Sequence, residues 1–74
     1  MKYFDKNGVE IKAGMYITMS DGSTELVYDT DDGYGNPDLG INASNEAYLE
    51  RHPYASRKYY SLSNFDMREV EVCK

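Results

Sequence analysis

One histidine, one cysteine and thirteen acids are the groups from which this 74-residue chain would have to build reaction chemistry. Nucleophilic catalysis needs a nucleophile, an adjacent base and an orienting group. The chain has no nucleophile elbow, and Cys73 stands on what reads as an edge strand beside the C-terminus. His52 precedes Pro53 and reads as a residue that closes a helix on its last carbonyls. A lone histidine removes any multi-histidine metal site. A lone cysteine removes a disulfide framework and a Cys-cluster zinc site. Paired-carboxylate chemistry needs two acids held on opposite sides of a substrate. The six acids of residues 29–50 fall instead on a loop and a short helix, where mutual repulsion favours exposure. No enzyme is expected.

The run Asp29-Thr30-Asp31-Asp32-Gly33-Tyr34-Gly35 has the composition of a calcium loop. In an EF-hand register from Asp29, the fifth, sixth and twelfth positions should hold an oxygen ligand, Gly and Glu. They hold Gly33, Tyr34 and Gly40. The run therefore reads as the acidic loop of a β-hairpin, a specific cation site being the other reading. Gly33 and Gly35 lack the third Gly, the Lys and the following helix of a phosphate-binding loop. No metal or organic cofactor is expected to be needed for folding.

Eight tyrosines are the least ordinary feature. Tyrosine offers large amphipathic contact area at low entropic cost and is enriched at binding surfaces. Tyr28 and Tyr60 fit core positions, whereas Tyr16, Tyr34, Tyr54 and Tyr59 alternate outward or lie in loops. With Arg57 and Lys58 these four form the candidate binding residues. Half-buried tyrosines covering the ends of a small barrel are the plainer reading. Arg51, His52, Tyr54, Arg57, Lys58 and Tyr59 also form a basic-aromatic cluster of the kind that stacks bases.

The elements that would position these residues are those of a small β protein. Asn7-Gly8 and Asp21-Gly22 read as two-residue type I′ turns. The first joins residues 2–6 to 9–12, and the second joins 15–20 to 23–28. In the second hairpin Met15, Ile17 and Met19 share a face, opposed by Leu26 and Tyr28. Residues 29–38 read as loop and 39–42 as a short strand. A helix follows over 43–51, capped by Asn42 or Ser44, favoured at its start by Glu46 and ended near Arg51 by Pro53. Residues 58–62 resume an extended pattern, 63–66 form a one-turn link, and 67–73 are a closing strand with Val70 and Val72 inward.

One domain over residues 1–74 follows from the length. The expected fold is mainly β, a small, partly open antiparallel barrel with one short helix. An α+β sheet with the helix packed on one face is the alternative. Closure is how so short a chain avoids exposed strand edges. The expected core is Phe4, Val9, Ile11, Met15, Ile17, Leu26, Tyr28, Leu39, Ile41, Leu49, Tyr60, Leu62, Phe65, Val70 and Val72.

The run from Asn7 to Ile17, followed by Asp21-Gly22 and a second strand, resembles the opening of SH3-like barrels. Three stretches, Gly22–Tyr28, Leu39–Asn45 and Tyr60–Phe65, resemble short uncharacterised proteins of phages and mobile elements in Gram-positive gut bacteria. The resemblance implies an SH3-like barrel and no particular activity.

Charge and composition narrow the partners. The formal charge is −5, with six acids and no base in residues 29–50 against five bases and three acids in 51–74. The acidic middle is either a solvated face or a surface aimed at a basic partner. A molecule of this charge is a poor generic partner for nucleic acid. The longest mostly apolar run, Gly14–Met19, is far short of the roughly 20 residues of a membrane helix, and residues 1–6 lack an apolar signal region. The expectation is a cytoplasmic, non-catalytic protein-interaction module with an unknown protein partner, self-association included. Weak single-stranded nucleic-acid binding through residues 51–60 is the second reading.

Overall fold

The computed structural model describes residues 2–73. It is mainly β with one short helix. The strands are β1 (Tyr3–Phe4), β2 (Glu10–Ile11), β3 (Tyr16–Thr18), β4 (Thr24–Asp31), β5 (Pro37–Asn42), β6 (Tyr59–Ser61) and β7 (Glu71–Val72). Helix α1 (Glu46–Arg51) lies between β5 and β6. β1 and β2 pair as a separate hairpin, and the rest form one antiparallel sheet in the order β6-β5-β4-β3-β7. This sheet is open and does not close into a barrel. No helix among the described residues is long and apolar enough to cross a membrane.

Both glycine turns form, but not as two-residue turns. In the β3–β4 hairpin the Gly22 N–H donates to the Met19 carbonyl at 2.9 Å, and the Met19 N–H to the Ser23 carbonyl at 2.8 Å. The loop is therefore Ser20-Asp21-Gly22. Only the glycine takes a positive φ, of 86°, because no non-glycine residue among those described does. This is the three-residue loop in which a left-handed glycine completes the turn. The β1–β2 loop repeats it, with the Gly8 N–H on the Asp5 carbonyl and the Asp5 N–H on the Val9 carbonyl.

The extra loop residue changes which side chains face the core. A two-residue loop would set Ile17 opposite Leu26, whereas the observed register sets Ile17 opposite Glu25 and Tyr16 opposite Leu26. A one-residue shift exchanges the faces of a strand. Val27 accordingly joins Ile17 in the core and pairs with Ile41 of β5, while Leu26 and Tyr28 are only half-buried.

The buried core is Tyr3, Ile11, Ile17, Met19, Val27, Ile41, Leu62 and Val70, with Leu39, Phe65, Met67 and Val72 packed against it. Several expected core residues lie elsewhere. Phe4 is 48% exposed because its neighbour Tyr3 takes the inward position. The Tyr3 hydroxyl donates to Asp38 Oδ1 at 2.7 Å, so burial leaves no polar atom unpaired. Val9 is exposed because alternation begins only at Glu10, beyond the Gly8 turn. Met15 is half-buried, as is Leu49, since α1 buries no residue fully. Tyr60 is exposed.

Half of the 29–38 segment is strand. β4 runs on through Asp31 and β5 starts at Pro37, leaving only residues 32–36 as loop. Its aspartates fold inward on backbone. Asp31 Oδ1 accepts from the Gly33 N–H, Asp32 Oδ1 from those of Tyr34 and Asn36, and Asp32 Oδ2 from the Asn36 side chain. The helix starts later than expected, with Asn45 as its cap at 3.2 Å from the Tyr48 N–H. Asn42 and Ser44 are engaged otherwise: Asn42 bonds Ser44 and Glu46, and Ser44 Oγ meets the Lys58 N–H. The closing strand is also shorter, because Asp66 caps a 3-10 turn over Met67–Glu69 before β7 begins.

Asp5 attaches the β1–β2 hairpin to the edge of the sheet. Its Oδ1 accepts from the Asn7 and Val9 N–H groups, both at 2.8 Å, and its Oδ2 from the Val72 N–H at 2.9 Å. The Lys6 N–H donates to the Val70 carbonyl at 2.8 Å. Val70 and Val72 are the residues whose backbone groups point away from β3, so these two bonds cover the β7 edge.

Two outcomes test this account. At Gly40 an added Cβ would lie 2.6 Å from the Tyr60 carbonyl oxygen, so Gly40→Ala should cost about 2 kcal/mol in denaturant unfolding. The Val72 N–H, with those of Val9 and Asn7, holds the Asp5 carboxyl below the ordinary carboxylate pKa. Its contribution to stability is then complete above about pH 4 and is lost as pH falls through the depressed native value. Asp5→Asn should lower Tm by about 5–10 °C at pH 7, since one backbone N–H would face an amide NH₂. In thermal melts the gap between wild type and Asp5→Asn should narrow below about pH 4.

Candidate functional site

The end of the sheet where β5 leaves for α1 and β6 returns carries most of the candidate residues. The α1–β6 excursion is held at its base by the Ala43 N–H, which donates to the Lys58 carbonyl at 2.9 Å. It is held across its middle by Glu46, whose carboxylate pairs with the Arg57 guanidinium and accepts from Asn42 Nδ2. The Asn42 and Arg57 hydrogen bonds lower the Glu46 pKa, and Glu46 raises that of Arg57. Arg57 is therefore a tie between helix and loop.

Between α1 and the returning chain lies an open groove of about 430 Å³, lined among others by Ala43, Ser44, Tyr48, Leu49, Ala55 and Lys58. Lys58 is exposed, and no acid among the described residues forms an ion pair with it. Tyr54 is fully exposed in the turn that the Ala55 N–H closes on the His52 carbonyl. Tyr59 behaves differently from expectation. It is half-buried, with its ring 5.2 Å from that of Tyr28 at 49°. Register explains the contact: Tyr28 opposes Gly40, and Tyr59 opposes Asn42, so the rings meet over a position without a side chain. Tyr60 opposes Ile41 on the core face but, on the edge strand, is 57% exposed.

The remaining candidates do not join this patch. Tyr16 is exposed on β3, two strands away from β5, and Tyr34 stands at the tip of the β4–β5 hairpin. The structure thus brings together Tyr54, Arg57, Lys58 and Tyr59 and leaves Tyr16 and Tyr34 apart. It adds one exposed tyrosine, Tyr48, which lines the groove, whereas Tyr60 lines a separate hollow with Met19, Ile41 and Phe65. Tyr48 was legible in principle, because a helix places it beside His52 at i+4. The two rings stack at 4.0 Å and 15°.

His52 is the residue that ends α1, its backbone N–H on the Tyr48 and Leu49 carbonyls and its Nδ1 2.9 Å from the Tyr48 carbonyl oxygen. Cys73 is exposed, its Sγ 3.1 Å from Thr18 Oγ1. Asp38 is the other buried acid. Burial pushes its pKa up, and hydrogen bonds from Ser61, Tyr3 and the Leu39 N–H together hold it below the ordinary value. Its carboxylate ties β5 to β6 through Ser61 Oγ at 2.7 Å. Among the described residues no group of three His, Cys, Asp or Glu side chains is placed to hold a metal ion. Compared with protein-family models, curated proteins and solved structures, the chain matches none.

The two neighbouring tyrosines separate surface from framework. Tyr54→Ser should leave stability within about 0.5 kcal/mol of wild type. Tyr59→Ser, which removes the ring against Tyr28, should cost about 1–2 kcal/mol in urea unfolding.

Proposed function

We propose that this chain is a non-catalytic protein-interaction module of the cytoplasm, an accessory protein of a phage or mobile element. The observation that carries the reading is the surface around the α1–β6 groove, where Tyr48 and Tyr54 stand exposed beside Lys58. Exposed aromatic rings around a shallow groove supply contact area for a protein partner, and a nearby cation orients it. The mobile-element origin is supported by the resemblance of Gly22–Tyr28, Leu39–Asn45 and Tyr60–Phe65 noted above. An unpaired, exposed cysteine fits a reducing compartment.

A non-catalytic role is supported by the way the reactive side chains are used. The histidine closes a helix, and the aspartates of the hairpin loop cap backbone N–H groups. Single-stranded nucleic acid fits the same segment less well. Arg57 is already neutralised by Glu46, which leaves Lys58 and Arg51 as the cations of residues 51–60.

The test is capture of partners from a lysate of a Gram-positive gut bacterium, with and without nuclease. Wild type should recover a stoichiometric protein in both arms, and the double variant Tyr54→Ser/Lys58→Glu should lose at least tenfold of it while melting like wild type. Nuclease-sensitive recovery would reverse the reading in favour of nucleic acid. Turnover of a substrate by the purified chain would end the non-catalytic assignment.

A further inference from the structure

The two edges of the five-stranded sheet are treated differently. On β7 the Val70 carbonyl accepts from the Lys6 N–H, the Val70 N–H donates to the Met67 carbonyl and the Val72 N–H donates to Asp5. On β6 the outward backbone groups are left open. The Ala43–Lys58 bond fixes the hydrogen-bonding phase of the β5–β6 pair, so the next residue bonded to β5 is Tyr60, opposite Ile41. Tyr59 and Ser61 then direct their N–H and C=O groups away from β5. Among the described residues only one of these four groups has a partner, the Ser61 carbonyl, which accepts from Asn64 Nδ2 at 3.2 Å. That oxygen has a second lone pair to offer.

The three-residue length of β6 is the one device against pairing that the strand carries. Tyr59-Tyr60-Ser61 contains no charge, no proline and no glycine. We propose that β6 pairs with β6 of a second copy of the chain, antiparallel about a two-fold axis through Tyr60. In that register Tyr59 of each copy lies opposite Ser61 of the other. Each Tyr59 N–H meets the opposed Ser61 carbonyl and each Ser61 N–H meets the opposed Tyr59 carbonyl, giving four hydrogen bonds and leaving no outward group of the strand unpaired. The arrangement is self-complementary, as a two-fold contact must be. Tyr60 faces its own counterpart across the axis, and the exposed ring of each copy covers that of the other. Lys58 falls opposite Leu62 of the other copy, so no like charges are directly opposed.

A second copy is favoured over a foreign peptide because pairing about Tyr60 meets every outward group of β6 with an identical strand and opposes no like charges. The proposal rests on the interaction-module reading only in using the same end of the molecule, and it stands or fails independently of any captured protein. Three-residue strands bury far less than the roughly 1,200 Å² of a stable interface, so the dimer is weak and forms at about 0.1–1 mM. Two chains of charge −5 repel, and salt that screens them should tighten the pairing.

The experiment is sedimentation of the full chain over 0.02–1 mM, roughly the range bracketing that estimate, joined to amide hydrogen exchange by NMR. Expected are a concentration-dependent rise toward the dimer mass, stronger at high salt, and slowed exchange of the Tyr59 and Ser61 amides confined to the concentrated sample. Tyr60→Lys, an exposed position that sets two like charges across the axis, should weaken the dimer at least tenfold while leaving the melt unchanged. A monomer throughout the range overturns the proposal. So does a dimer whose Tyr59 and Ser61 amides exchange as in the monomer, or one indifferent to Tyr60→Lys. If those amides are instead slowed only by a captured partner protein, the edge takes a foreign strand and the second copy is rejected.

Discussion

A single carboxylate, that of Asp5, sets how this chain solves the problem of being small. Few residues are available for burial, and the five-stranded sheet is open at both ends. Asp5 accepts two N–H groups of its own turn and one from Val72, sixty-seven residues away. The local bonds shape the β1–β2 hairpin, and the distant bond fixes that hairpin on the β7 edge, bringing Tyr3 and Ile11 into the core. Asp38 makes the matching connection further round, where it gathers Tyr3, Ser61 and the Leu39 N–H. Buried carboxylates whose oxygens are all met by donors cost little to desolvate and hold geometry tightly.

Charge and aromatic content are spent on architecture before they reach the surface. The acidic run that looks like a cation loop is a hairpin end whose aspartates cap backbone N–H groups. Arg57, Arg68 and Lys6 are each paired with an acid nearby. What is left for a partner is narrower than the composition implies: the tyrosines around the α1–β6 groove, Lys58, and an open strand edge.

The turn residues were legible because glycine positions with positive φ announce themselves, and both hairpins fall where Asn7-Gly8 and Asp21-Gly22 put them. The helix end at Arg51 was legible for a similar reason, since Pro53 and His52 terminate it locally. The candidate patch was half legible. The segment from Tyr54 to Tyr59 is contiguous in sequence and so must cluster, but Tyr59 is half-buried because its ring meets Tyr28. Tyr60 is exposed because its strand is the sheet edge, although it opposes Ile41 on the core face.

By itself the sequence determined the mainly β class, the antiparallel hairpins, the single short helix and a chain in which histidine and cysteine are too few for metal clusters. These follow from local preferences: glycine at left-handed positions, proline after a helix, alternation along strands. Only the tertiary structure decided the faces of β4, the burial of Tyr3 over Phe4 and the asymmetry between a covered β7 edge and an open β6 edge. Each depends on hydrogen bonds between residues far apart in the chain, or on a loop that is one residue longer than its dipeptide suggests. A shift of one residue moves every side chain of a strand to the other face, and no local preference is strong enough to fix that choice before the sheet assembles.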